Sequence, residues 1–146
     1  LALDERAATI GEAQALQIEA GDPVCAYHGL SLADGQPIAV FESLFPILRL
    51  QGITAALTET SSVTRALSIA GIDDYTRAST RLTAVRATAT HALLLNVGEG
   101  DPLLRSSSVN TCAIGKPVEY GRTWFAGDWV TLTLEDQKVI EKPLRE

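Results

Sequence analysis

Residues Ala13-Gln-Ala-Leu-Gln-Ile-Glu-Ala-Gly-Asp-Pro-Val24 return 79 positions later as Ala92-Leu-Leu-Leu-Asn-Val-Gly-Glu-Gly-Asp-Pro-Leu103. Further on, Asp34-Gly-Gln-Pro-Ile38 lies over Ile114-Gly-Lys-Pro-Val118 at a spacing of 80, and Phe45 falls on Phe125. Each copy reads as a short apolar segment, a Gly-Asp-Pro turn, a strand, a Gly-centred tight turn and a second strand. Gly-Asp-Pro alone is a common turn, but the shared order and spacing argue for an internal duplication. Asp34-Gly35 between β-rich runs is a strong hairpin signal, and Ile114-Gly115-Lys116 is a softer one.

Working outward, the hairpins pair Val24–Leu32 with Pro37–Phe45 and Pro102–Cys112 with Pro117–Ala126. Between the copies, residues 61–71 read as a helix capped by Ser61 or Ser62. Val63, Ala66, Leu67 and Ala70 form its apolar face, and Gly71 stops it. Tyr75–Arg86 alternates and is rich in Thr, Val and Tyr, so a strand is expected there. Trp129–Leu134 shows the same period-two alternation and is expected as a last strand. Ala7–Leu16 and Thr88–Leu95 are expected as short helices. The sum is an α+β domain, with an antiparallel sheet of about six strands built from two hairpin units and helices packed on one face.

Composition narrows the function classes. The 146 residues are 46% hydrophobic and 21% charged, enough for one self-sufficient core. No apolar run approaches the roughly 18 residues of a membrane span. Two cysteines, Cys25 and Cys112, give no disulfide framework and point to a reducing cytoplasm. Asp4 and Glu5 stand where a secretory signal would need a basic, then apolar, run. The net charge of −6 lacks the electrostatic footprint of a nucleic-acid binder. The sequence holds no methionine, which leads us to expect a domain from a longer protein.

Catalytic and metal signals are sparse. His28 and His91 have no partners at metal spacing, and Cys25 with His28 makes only a half-site whose members would point to opposite strand faces. No Gly-x-Ser-x-Gly elbow or phosphate-binding loop occurs. Arginines are more informative. Regular alternation places Arg77 and Arg81 on one face with Tyr75, Ser79, Thr83 and Val85, and Arg86 on the other. That face either binds a phosphate, phosphonate or carboxylate or simply meets solvent. Glu42 and Arg122 occupy equivalent places in the two copies, as do Ala39 and Glu119. Such pairs would meet near a pseudo-twofold, lining a groove or forming an ordinary ion pair.

Taken in order, several landmarks resemble the UTRA domain, the effector-sensing half of the HutC subfamily of GntR-type bacterial transcriptional regulators. They are Gly21-Asp-Pro-Val24, Leu32-Ala-Asp-Gly-Gln-Pro-Ile38, Phe45-Pro46, Ser62-Val-Thr64 with Leu67, Gly100-Asp-Pro-Leu-Leu104, Gly115-Lys-Pro-Val-Glu-Tyr120 and Gly127-Asp128-Trp129. Residues 80–87 and Glu42 look most like the branch that represses phosphonate-uptake operons. The resemblance implies a chorismate-lyase-like fold, a homodimer and a winged-helix DNA-binding domain ahead of residue 1. Residues 1–10 would then be a linker, 11–136 the sensing domain and 137–146 a tail. It also implies a small polar or anionic effector, no cofactor, no metal, no membrane contact, and DNA contacted only through the other domain.

Carried over by position, the effector-site residues are mixed. The Arg-x-Arg of many relatives' first strand reads Gly29 and Ser31 here. The acid of the next strand falls at Phe41, with Glu42 one residue later. The serine at the helix start and the aromatic two residues on are Ser62 and Thr64. The glutamate of the last hairpin is Glu119, and a tyrosine six residues later is Phe125. Loss of both strand arginines removes the usual anion clamp, leaving Arg81 or Arg86 to replace it or a less charged ligand. Two other readings compete with a sensor that has no catalytic residues. One is a stand-alone chorismate-lyase-like enzyme, in which Glu119 and Arg81 would supply acid and cation. The other is a degenerate copy used only for dimerisation.

Overall fold

The structure, a computed structural model, describes residues 2–133. Six strands and four short helices follow in the order β1 (Ala2–Ala7), α1 (Ile10–Leu16), β2 (Pro23–Ala33), β3 (Gln36–Pro46), α2 (Ile53–Glu59), α3 (Val63–Ile69), β4 (Tyr75–Arg86), α4 (Ala89–Leu95), β5 (Pro102–Cys112) and β6 (Pro117–Ala126). They form one antiparallel sheet in the order β1-β2-β3-β6-β5-β4. The sheet is two copies of a β-α-β-β unit, joined where β3 meets β6.

The duplication extends to individual atoms. Thr9 caps α1 and Thr88 caps α4, each hydroxyl accepting the amide three residues on. Gln17 and Asn96 close these helices in the left-handed region at φ of 55° and 56°. In each Gly-Asp-Pro turn the glycine takes a positive φ, 89° at Gly21 and 86° at Gly100, which a side chain would strain. The aspartate carboxylate then accepts a loop amide, from Glu19 at 3.1 Å for Asp22 and from Gly98 at 2.8 Å for Asp101. The proline opens the strand, where a missing N–H costs least. Ala8 N–H to Asp22 carbonyl and Ala87 N–H to Asp101 carbonyl are both 2.8 Å.

Four expectations need correction. Ala2–Ala7, expected as linker, is an edge strand paired along its length with β2. Charged residues there blunt an exposed edge rather than mark a loop. Trp129–Thr133 carries no strand among the described residues, and Leu134 and the expected tail lie outside them. The strand count therefore stands with one member exchanged. Helix α2 was not anticipated from its sequence. Helices also cover both faces of the sheet: Val24, Cys25, Ala26 and Tyr27 are all buried, so both sides of β2 face a core.

On one face, called here the α2/α3 face, Cys25, Tyr27, Phe41 and Phe45 pack with Leu50, Ile53, Leu57, Ala66 and Leu67. On the opposite, α1/α4 face, Val24, Ala26 and Leu44 pack with Ala13 and Leu16. Leu103 and Leu95 build a third cluster beside Val40, Val85 and Trp124. Ser62 caps α3 as anticipated, its hydroxyl accepting from Arg65 N–H at 3.2 Å.

Candidate functional site: a buried polar floor on the α2/α3 face

Strand registers decide which side chains share a surface. Tyr27 stands opposite Ser43, Gly29 opposite Phe41 and Ser31 opposite Ala39. Phe41 is opposite Thr123 on β6, and Ala39 opposite Phe125. Across the next pair, Phe125 meets Leu104, Thr123 meets Ser106, Gly121 meets Ser108 and Glu119 meets Asn110. All these residues point to the α2/α3 face. Their rows include four buried polar groups: Ser43, Ser106, Asn110 and Glu119. Asn110 donates Nδ2–H to Glu119 Oε1 at 2.9 Å. The hydroxyl of Ser43 is buried with no hydrogen-bond partner.

A floor of this kind is costly. Burying an amide, a carboxyl and two hydroxyls costs hydration, and the Ser43 hydroxyl regains no hydrogen bond, whereas apolar side chains would pack here without that loss. At its border stands the N-terminus of α3. Tyr27 donates its hydroxyl to the Ser61 carbonyl at 3.5 Å, and the Thr64 and Tyr75 hydroxyls lie 2.8 Å apart. Ser62 and Thr64 are exposed. The arrangement is a polar floor next to an accessible helix start.

A family model for the UTRA domain matches residues 1–131. The chain belongs to the UTRA domain family. It is 37% identical over 123 residues to an uncharacterized HTH-type transcriptional regulator of Rhizobium meliloti, covering 84% of this chain and 50% of that protein. The chain thus spans about half the length of that curated relative. Among solved structures, it resembles the PhnF C-terminal domain at 27% identity and a TM-score of 0.81, over 92% of this chain and 85% of that one. It also resembles the ligand-binding domain of a protein described as a GntR-family transcriptional regulator of Bordetella bronchiseptica, at 26% identity and a TM-score of 0.77, over 92% and 89% of the two chains. The expected fold class, an antiparallel α+β domain, stands, and the ligand-binding domain of the Bordetella protein shares the fold.

Of the nine positions expected in the effector site of this UTRA domain, seven lie on the α2/α3 side. Gly29, Ser31, Phe41, Glu119 and Phe125 share the sheet face, and Ser62 and Thr64 begin the helix beside it. Glu42 and Arg81 project from the opposite face and are not brought to them. Sequence reading missed Ser43, Ser106 and Asn110. The last two sit four residues apart on one face of β5, at the alternate positions 106, 108 and 110, an alternation that was available but unspecific.

Arginine placement also changes. The register of β4 shifts between Arg77 and Ser79, so Arg77 pairs with Asn110 and Arg81 with Ser107. Regular alternation put these two arginines on one face; the irregularity separates them. Arg77 is thereby the strand arginine set opposite Asn110, next to Glu119 on the floor.

Glu42 serves a different purpose. Arg122, directly opposite it, donates Nη2–H to Glu42 Oε1 at 2.5 Å and to Glu12 Oε2 at 3.1 Å. Arg6 grips both Glu12 oxygens, at 2.7 and 2.8 Å. The Arg122 guanidinium also lies 5.4 and 5.5 Å from the ring centroids of Tyr120 and Trp124. The Arg6 hydrogen bonds hold the buried Glu12 carboxyl at a pKa of about 2. This two-arginine, two-glutamate cluster fastens α1 and β1 to the central strands. Cys25 is a fully buried thiol whose pKa burial raises, and His28 sits at the rim beside Asp4 at 3.3 Å. Among the described residues no group of three or more His, Cys, Asp or Glu is placed to hold a metal, and no helix is long and apolar enough to cross a membrane.

Proposed function

We propose that this UTRA domain is the sensor of a cytoplasmic, DNA-binding transcriptional regulator, and that a small polar metabolite seated on the α2/α3 face modulates operator affinity. The observation that carries this reading is the buried polar floor of Ser43, Ser106, Asn110 and Glu119, with a hydroxyl left unpartnered where a ligand group would satisfy it. Ser62 and Thr64 supply donors from the helix start. Arg77 takes the place of the strand arginines that Gly29 and Ser31 lack, which suits a ligand with one anionic group. The likeness to the PhnF C-terminal domain and the resemblance of residues 80–87 put phosphonates first among the probes.

In the same reading the domain is non-catalytic, as the naming of its relatives as regulators supports, and it works as a homodimer. Strand β4 supports the second point: it is a twelve-residue edge strand, exposed over nearly its whole length. An uncovered edge of that length is a template for another chain. To act as a switch, the ligand must bind one arrangement of the protein better than the other, by a few kcal/mol for a near-complete shift.

The test pairs two measurements on the chain itself. Melting in the presence of a panel of small phosphonates and other polar anions is expected to reveal at least one compound that raises the melting temperature, since a ligand specific to the native state stabilises it. Gel retardation with DNA is expected to show no shift, consistent with the net charge of −6. Retarded DNA would overturn the assignment of DNA binding to another domain. Release of product from chorismate, followed by absorbance, would favour the enzyme reading instead.

A further inference from the structure

The duplication builds two grooves on the α1/α4 face, one on each side of the pseudo-twofold. The first, about 450 Å³, runs between α1 and the β4–β5–β6 flank. The second, about 180 Å³, runs between α4 and β2–β3. Their linings correspond through the repeat: Gly11 with Thr90, Ala15 with Leu94, Ser107 with His28, and Tyr120 with Val40. The copies have diverged at these positions. Leu94, His91 and Trp124 narrow the second groove, and the carboxylate that lines it, Glu42, is already paired with Arg122 and Arg6. The small Gly11 and Ala15 keep the first open, and two guanidiniums, Arg81 and Arg105, enter it.

Those guanidiniums are unusually placed. Arg81 pairs across the ladder with Ser107, and Arg105 with Thr83, so the two are diagonal neighbours on one face. Such positions lie about 7–8 Å apart, close enough for like charges to repel. Neither takes part in an ion pair among the described residues, while nearby Arg6 and Arg122 both pair with Glu12 and Glu42. The Nε of Arg105 is buried with no hydrogen-bond partner. Ser79, Thr83 and Ser107 add hydroxyls on the same face.

We propose that this groove is a second small-molecule site, which takes a tetrahedral oxyanion of the phosphate class between Arg81 and Arg105. One guanidinium fork satisfies a carboxylate; two forks with three hydroxyls match the oxygens of a dianion. The anion would relieve the repulsion between the arginines and satisfy the buried Nε. It would also join α1 to β4 and β5. The site lies on the other side of the sheet from the polar floor and does not depend on what that floor binds.

Inorganic phosphate is the probe, titrated into the isotopically labelled chain at fixed ionic strength with acetate as control. Saturable amide shifts centred on Gly11, Ser79 and Ser107 are expected, with acetate weaker. Arg81→Gln, at an exposed position, and Arg105→Gln should each weaken phosphate by about ten-fold or more. Melting curves of both variants establish that they are folded. Shifts that do not saturate, shifts unchanged in the two variants, or shifts centred on Ser62 and Asn110 would each overturn the proposal.

Discussion

Replacing Glu12 with alanine is expected to lower the melting temperature of the domain by roughly 10 °C, corresponding to about 3 kcal/mol. The carboxylate is buried, accepts both Arg6 N–H groups and one from Arg122, and closes the α1 capping box by accepting Thr9 N–H at 2.9 Å. Its removal leaves two partly buried guanidiniums short of a partner and a helix without half its cap. The same cluster sets an acid limit. Glu12 titrates near 2 in the folded chain, against an ordinary value of 4.5. Its contribution is therefore complete above about pH 4.5 and is lost as the pH falls towards 2. Melting curves across that window should fall steeply for the native chain and more gently for Glu12→Gln, which starts lower at neutral pH. Parallel curves would show that the pair contributes nothing to folding.

Phe45→Ala is expected to cost about 3–5 kcal/mol, a large part of the 5–15 kcal/mol typical of a domain. The ring is fully buried in the cluster that seats α2 and α3 on the sheet, so its loss leaves a cavity bounded by two helices. Its repeat mate behaves differently. Phe125 is also buried, on the same face, but it lies across from Ala39 and Leu104 and outside the cluster that seats α2 and α3. Phe125→Ala should cost less, about 3 kcal/mol at the low end for such a truncation, and should weaken or broaden effector binding. Urea midpoints give the first comparison and ligand-induced melting shifts the second. Equal costs for the two variants would contradict this division between scaffold and site.

The duplication was legible because its cause is backbone geometry. Gly21 and Gly100 need positive φ, and Asp22 and Asp101 must cap their own loops, so these residues recur in order. The limits of β5 and β6 followed from the same turn chemistry, those of β4 from its alternating Thr, Val and Tyr, and the Ser62 cap from its place before an apolar helix face. Strand β1 was hidden because Asp4, Glu5 and Arg6 read as solvated charge, although the repeat itself implied a strand before α1 to match β4. Helix α2 carries no cap side chain at Gly52, which left no start signal. Helices on both faces required knowing that β2 is buried on both sides. That is a tertiary fact, to which the apolar run Val24–Tyr27 gave only a hint.

The site was half legible for a related reason. Resemblance by position gathers seven residues on the α2/α3 side, five of them through strand parity and two at the start of α3. Glu42, one residue on from Phe41, falls on the opposite face, because a one-residue step reverses strand parity. Arg77 and Arg81 were assigned one face on the assumption of unbroken alternation, and a single irregularity near Ala78 separates them. No sequence pattern marks such a shift. The floor residues Ser106 and Asn110 are common polar types whose burial alone makes them notable.

An effector seated on the α2/α3 face is detected by amide mapping of a hit from the metabolite panel. A compound that raises the melting temperature should shift the amides of Ser62, Thr64, Asn110 and Glu119, and Asn110→Ala should weaken its binding. A hit that leaves all four amides unmoved, with its perturbations elsewhere on the sheet, would exclude the α2/α3 face as the effector site.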